Sequence, residues 1–342
     1  MTRTLLNYLC EPVTKAPLTL TDEVMDSIGQ IISGLLVSSS GASFPIINGI
    51  PRFVWEKNDL QTVESFGDEW NYFNFTDFKA HWLNHTVSNT FGSSAVFRDK
   101  LVVDAGGGSG AQTLWMLESG ARHVIMLELS HSVDGVVQQN LSPLGFESYD
   151  VVQCSIDQPP LRDRIIDGIV LCHNVIQHTQ SVEKTARALF ALVGQGGEFV
   201  FNCYTRTEKR SVLRWMKSRM IYRPLRGVLS RCPFGAILTY SHIMAVLRSL
   251  PAIGWVIEKA GFCLRGDVPR TGKFWQHLAH SYRATVLNTF DLFGSHAYQH
   301  LKTESELRKL IKELQPDETK VKNVDRTFST PRPIGCLFRI FR

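Results

Sequence analysis

An apolar run, LVVDA, is followed at once by GGGSG and then by the helix-patterned AQTLWMLESG, a succession that leaves few folds open to this chain. Inside a regular element a glycine costs roughly 1 kcal/mol relative to alanine. Four glycines in the five positions from Gly106 to Gly110 therefore require either a turn too sharp for a side chain or something close to the backbone. The pattern then repeats: HVIMLEL reads as a strand, VDGVVQQNLSPLG as a helix, YDVVQCS and IDGIVLCHNV as strands, VEKTARALFALV as a helix and GEFVFNCY as a strand. Strands rich in Val, Ile and Leu, separated by helical stretches, predict an α/β fold: a doubly wound, mostly parallel sheet with helices on both faces, over about 100 to 205.

Composition narrows the class further. The chain has 342 residues, 44% hydrophobic and 20% charged, which is a folded chain of one large or two smaller domains. No apolar run reaches the roughly 18 residues of a membrane span. The longest, IGQIISGLLV, holds Gln30, Ser33 and two glycines. The opening MTRTLLNYLCEP lacks the apolar core of a signal peptide. Seven scattered cysteines without a C-x-x-C pair read as reduced thiols, and the expected location is cytoplasmic.

In such a sheet a ligand binds at the strand carboxyl ends, beside the first strand–helix turn, where helix-start amides are unpaired. Glu128 ends the second strand, 22 residues after Gly106, where a carboxylate can accept hydrogen bonds from a ribose diol. Gly106, Gly108 and Ala111 also satisfy the dinucleotide pattern G-x-G-x-x-[G/A]. Asp104, however, would repel a pyrophosphate and suits the ammonium of an amino acid.

With VVDAGGGSG, the acid of LELS, CSIDQPPLRDRIIDGIVLCHNVIQH and LVGQGGEF, residues 100 to 205 resemble the class I S-adenosylmethionine (SAM)-dependent methyltransferases. The resemblance implies a seven-stranded Rossmann-like sheet and SAM as cofactor. Asp104, Gly106, Gly108 and Gly110 would surround the methionine part. Glu128 would hold the ribose, with Ser130 nearby; Ser155 and Ile156 would flank the adenine; Cys172 and His173 would line the pocket. Two positions depart from the family. Ser155 stands where an acid usually meets the adenine, so Asp157 or the backbone must serve, and Gln195 replaces a proline. Methyl transfer demands alignment and desolvation rather than a protein nucleophile, so no Ser-His-Asp pattern is needed.

Five segments are expected. Residues 1–55 read as a small β-rich unit with a turn at Asn48-Gly49 between apolar runs, and with FPIINGIPRFV they are similar to the small zinc-ribbon-like unit of methyltransferase activators. Only Cys10 stands at a ligand position, with Val13, Val37 and Ser40 at the others, so the unit is expected to hold no metal. Residues 56–98 form a helical linker or cap, in which His81 and His85 read as ordinary helix histidines. Residues 99–205 are the core. Residues 206–284 are a basic helical lid insertion, whose Thr205–Arg231 stretch holds nine Lys/Arg against Glu208. That excess of charge suits an anionic acceptor or a membrane surface contacted from outside, and no nucleic-acid module is evident. Residues 285–342 complete the catalytic domain. There Asp291, Tyr298 and His300 resemble the C-terminal portion of multidomain bacterial methyltransferases, ahead of a Thr303–Glu306 capping box, and with His296 they form the candidate catalytic set. The acceptor expected is a small molecule or glycan bearing a hydroxyl or carboxyl group, with O-methylation the expected reaction. The rival readings are a non-catalytic SAM-binding partner of another methyltransferase and a nicotinamide-dependent oxidoreductase.

Overall fold

The computed structural model describes residues 1–54, 60–145, 148–204, 216–266, 273–294, 298–317, 322–323 and 336–342. The chain divides into two compact units, Met1–Arg206 with Tyr298–Arg342, and Thr207–Ala297.

The first unit begins with an antiparallel sheet of β1 (Leu18–Met25), β2 (Ile31–Ser38), β3 (Ser43–Ile47) and β4 (Ile50–Pro51), in that order. Asn48 and Gly49 turn the chain between β3 and β4 with φ of 54° and 74°, with Ile47 opposite Ile50. That is the two-residue hairpin the Asn-Gly pair requires.

The main sheet takes β5 (Leu101–Ala105), β6 (His123–Glu128), β7 (Tyr149–Gln153), β8 (Ile169–Cys172), β9 (Glu198–Cys203), the two-residue β10 (Lys322–Asn323) and β11 (Cys336–Phe341). Its order is β10-β11-β9-β8-β5-β6-β7. Strands β5 to β9 run parallel, and β11 is antiparallel to β9. Six strands of four to six residues thus carry a mostly parallel α/β sheet, with β10 a short ladder beyond β11. Chain order reverses at β5: β6 and β7 lie to one side, β8 and β9 to the other. The reversal leaves a crevice at the carboxyl ends of β5 and β8.

Both faces of the sheet are buried, so its strands read as continuous apolar runs. Val102, Val124, Ile169, Leu171 and Val200 pack with Trp82, Phe97 and Trp115 on one face. Val103, Ile125, Leu127, Val170, Phe199 and Phe201 pack on the other with Leu161 and Phe190, and with Ile31, Leu36, Phe44 and Ile46 of the N-terminal sheet. The two sheets therefore share one core. They are also stitched along the outer edge of β7, where an open strand edge would invite foreign pairing. Phe53 N donates to Gln153 O at 2.8 Å, and both Thr2 N and Thr2 Oγ1 donate to the buried Asp150 carboxylate at 2.6 Å. His123 Nε2 lies 3.0 Å from the same group. Asp150→Ala strips three partners of one buried acceptor and is expected to lower stability by roughly 2–4 kcal/mol. A urea melt checks this; a midpoint within error of the parent contradicts it.

The helix expected over VDGVVQQNLSPLG is broken. A 3₁₀ turn, His131–Asp134, and a short helix, Val136–Leu141, meet at Gly135. A Cβ on Gly135 would lie 2.4 Å from Asn71 Oδ1, and that oxygen accepts from Val136 N at 3.0 Å. Helix Leu60–Tyr72, from the aromatic segment, thereby caps its neighbour. The expected capping box at Thr303 and Glu306 opens helix Glu304–Leu314.

The second unit is helical, with Arg223–Leu229, Phe234–Ser249, Pro251–Ala260 and Phe274–Phe293. Phe290 and Phe293 are fully buried in it, ringed by Tyr222, Phe234 and Tyr240. The boundary expected after 284 falls inside helix Phe274–Phe293, which the unit holds whole. Of the basic stretch, Leu213 and Trp215 lie outside the described residues. Among the described residues no helix is long and apolar enough to cross a membrane.

Candidate functional site

The glycine cluster is explained by what approaches it. A Cβ on Gly106 would sit 2.5 Å from Val175 Cγ1, one on Gly107 2.6 Å from Met126, and one on Gly108 2.8 Å from the Trp70 ring. Gly106 also adopts a φ of 85°, which a side chain disfavours. The chain's own side chains fill the space the missing ones vacate. Two of them, Trp70 and Val175, line a cleft with Gly106, Glu128, Leu129, Ser155, Ile156 and Asp157.

Glu128 ties the turn to β6. Its Oε2 accepts from Gly108 N and its Oε1 from Ser130 N, each at 2.8 Å. Ser132 Oγ completes the tie by donating to Gly108 O at 2.8 Å, and it lies 2.9 Å from Ser130 Oγ. Burial raises the Glu128 pKa, while the bonds from Ser130 and Gly108 oppose the rise. A buried carboxylate keeps several lone pairs, so each oxygen can accept a second donor from a ligand.

Asp104 stands elsewhere. It does not line the cleft; its Oδ2 accepts from Thr113 Oγ1 at 2.6 Å, fastening the first turn of helix Ala111–Glu118 to β5. Burial raises its pKa to about 6, and the Glu128 charge adds to the rise against the Thr113 bond. Two buried acids thus lie beneath one glycine turn.

The loop after β8 also lines the cleft with Asn174, Val175, His178, Thr179 and Gln180, joined by Tyr298 and, from helix Leu60–Tyr72, Phe66. Asn174 has a left-handed φ of 62°. Asn202 holds it there: its Oδ1 accepts from Asn174 N at 2.6 Å, and its Nδ2 donates to Asn174 Oδ1 at 2.5 Å. His178 Nδ1 lies 3.3 Å from the Tyr298 carbonyl, which places the proton on Nδ1 and leaves Nε2 as the acceptor nitrogen. The rings of Phe66 and Tyr204 stand nearly perpendicular to the His178 ring, with centroids 5.4 and 5.6 Å away.

Of the residues singled out in the sequence, Gly106, Glu128, Ser155, Ile156 and Tyr298 line this cleft. Gly108, Gly110 and Ser130 shape the turn behind it. Asp157 lines it as well, with Thr185 Oγ1 donating to its carboxylate. Cys172 is fully buried. His173 does not line the cleft; its pKa is pushed down to about 4 by burial and by His81, and its Nδ1 has no partner among the described residues. His300 is a staple: its N donates to Gln177 O at 2.8 Å and its Nε2 lies 3.0 Å from Thr179 O. Asp291 belongs to the helical unit, beside Tyr222 and Arg226. His296, like the side chain of His85, lies outside the described residues. Phe66, Trp70 and Asn174 were not singled out; the seven aromatics between Phe66 and Trp82 were a signal for the first two alone.

Residues 103–201 match a family described as a methyltransferase domain. No curated protein matches the chain. Among solved structures it is similar to PigF with SAH, at 12% identity and a TM-score of 0.43, covering 82% of this chain and 63% of that one. It is similar to the complex of the Haloferax volcanii Trm112 methyltransferase activator with a methyltransferase, at 13% identity and 0.41, covering 81% and 97%. It is also similar to the pyocyanin biosynthetic protein PhzM, at 17% identity and 0.39, covering 77% of this chain and spanning 55% of PhzM.

Proposed function

We propose that this chain, a class I SAM-dependent methyltransferase, methylates a hydroxyl of a small-molecule or glycan acceptor, with His178 as the base. The observation that carries the reading is one cleft lined both by Glu128 and Ile156 and by His178 and Tyr298. Bound SAM supplies a methyl group on a sulfonium, open to in-line displacement.

The residues fit that cofactor. Glu128, with one backbone N–H on each oxygen, accepts the two ribose hydroxyls. Leu129 and Ile156 offer apolar sides to the adenine, and Trp70 closes over the glycine turn. The acceptor hydroxyl would give its proton to His178 Nε2, and bound SAM would supply the methyl group to its oxygen. The Tyr298 carbonyl holds the ring in the tautomer this needs. The test is mass spectrometry of hydroxyl-bearing candidates incubated with SAM carrying a deuterated methyl. Label on an acceptor oxygen supports the reading; label found only on nitrogen or carbon contradicts it.

We read the N-terminal sheet as a ribbon-like unit without metal. Glu11, buried, accepts hydrogen bonds from Thr14, from Ser38 at 2.8 Å and from Ser40 at 2.9 Å, so hydroxyls gather on a carboxylate beside Cys10.

A pH dependence follows from Asp104, whose carboxyl is raised to about 6 by burial first and then by Glu128. Below pH 6 it is protonated in the free protein, and a cation bound nearby favours the ionised form. SAM affinity should therefore fall as pH drops through 6 and level off above it. A coupling of one pKa unit gives about a fivefold loss between pH 7.5 and 5. Calorimetry at the two values checks this; equal affinities contradict it, and Asp104→Asn should flatten the profile.

A further inference from the structure

We infer that the helical unit, Thr207–Ala297, docks on an anionic lipid bilayer, lying in its interface without crossing it. Charge is sharply segregated along this chain. Residues 207–297 hold 14 Lys/Arg against 4 Asp/Glu, a net +10, while the whole chain is only +5. The other unit is therefore −5, an acidic body joined to a strongly cationic one.

Exposed apolar surface is segregated in the same way. Of the 21 large hydrophobic side chains exposed among the described residues, 13 fall in this unit, which is about a quarter of the chain. Trp255 is 65% exposed, Phe274 69% and Trp275 73%. Helix Pro251–Ala260 buries Gly254 and turns Ile253, Trp255 and Val256 outward. The apolar groups are spread along successive helices, among Arg219, Arg223, Arg231 and Lys259 at exposed positions. Cationic helices with outward tryptophan and aliphatic side chains are the composition of a surface-lying membrane anchor. A fluid interface accepts contacts distributed in this way, whereas a protein partner needs one fixed matching surface. No described helix is long and apolar enough to span. The inference is independent of the acceptor's chemistry.

The test is co-sedimentation of the full chain with vesicles of phosphatidylcholine alone and with about 30% phosphatidylglycerol. Binding to the anionic vesicles should exceed binding to the neutral ones at least about tenfold, and about 0.5 M salt should remove most of the excess. Trp255→Ser with Trp275→Ser should lower binding to anionic vesicles about tenfold, leaving SAM affinity unchanged. Arg223→Glu with Arg231→Glu should abolish the preference for anionic lipid, and it tests the claim alone if the tryptophan variant fails to fold. No binding, equal binding to both vesicles, or parental binding by a folded variant would each overturn the inference. A unit that ignores vesicles but binds an acidic protein would overturn it as well.

Discussion

Glu128→Ala is expected to weaken SAM binding about a hundredfold or more. Hydrogen bonds to a charged group contribute roughly 1.5–3 kcal/mol each, and 1.4 kcal/mol is a factor of ten. In the proposed reading the carboxylate holds two ribose hydroxyls, and it already receives Gly108 N and Ser130 N. Its removal strips the ligand of an acceptor pair and frees the glycine turn in one step. Glu128→Gln keeps one oxygen as acceptor and should lose less. Calorimetry reads both variants; a dissociation constant unchanged in Glu128→Ala contradicts the assignment.

His178→Ala is expected to lower turnover about a hundredfold or more with the true acceptor, the lower range for general acid–base catalysis. SAM affinity should stay within about twofold, because the ring comes from the turn after β8 and the proposed ribose ligand Glu128 from the end of β6. A positioning role would scale the rate at every pH, whereas a base should also remove the rising limb of the pH–rate profile. His300→Ala should act differently. Its ring and backbone hold the carbonyls of Thr179 and Gln177, so its loss should show first as lower thermal stability. If His178→Ala kept full turnover while His300→Ala lost it, the proton acceptor would be misassigned.

Local signals in the sequence were the reliable ones. Strand runs such as LVVDA and GEFVFNCY declare themselves because a parallel strand is apolar on both faces. The Asn48-Gly49 turn and the Thr303–Glu306 box are read from a few residues whose chemistry is local. What stayed hidden depends on partners far along the chain. Nothing near Gly135 announces that Asn71 will fill its missing side chain, so one helix was read where two short ones meet. Asp104 looked aimed at a ligand ammonium, yet Thr113, nine residues on, takes its carboxylate. Trp70 and Phe66 reach the cleft only because helix Leu60–Tyr72 crosses the glycine turn. Asp291 was grouped with Tyr298 and His300 by proximity in sequence, but its helix belongs to the other unit.

The central claim is that one cleft holds SAM at Glu128 and presents its methyl group toward His178. A crystal structure with S-adenosylhomocysteine, the demethylated product, tests it most directly. The account predicts ribose hydroxyls within hydrogen-bond distance of both Glu128 oxygens, adenine against Leu129 and Ile156, and sulfur on the side of His178 and Tyr298. Density for the product outside this cleft, or inside it with the adenine against His178, would contradict the account.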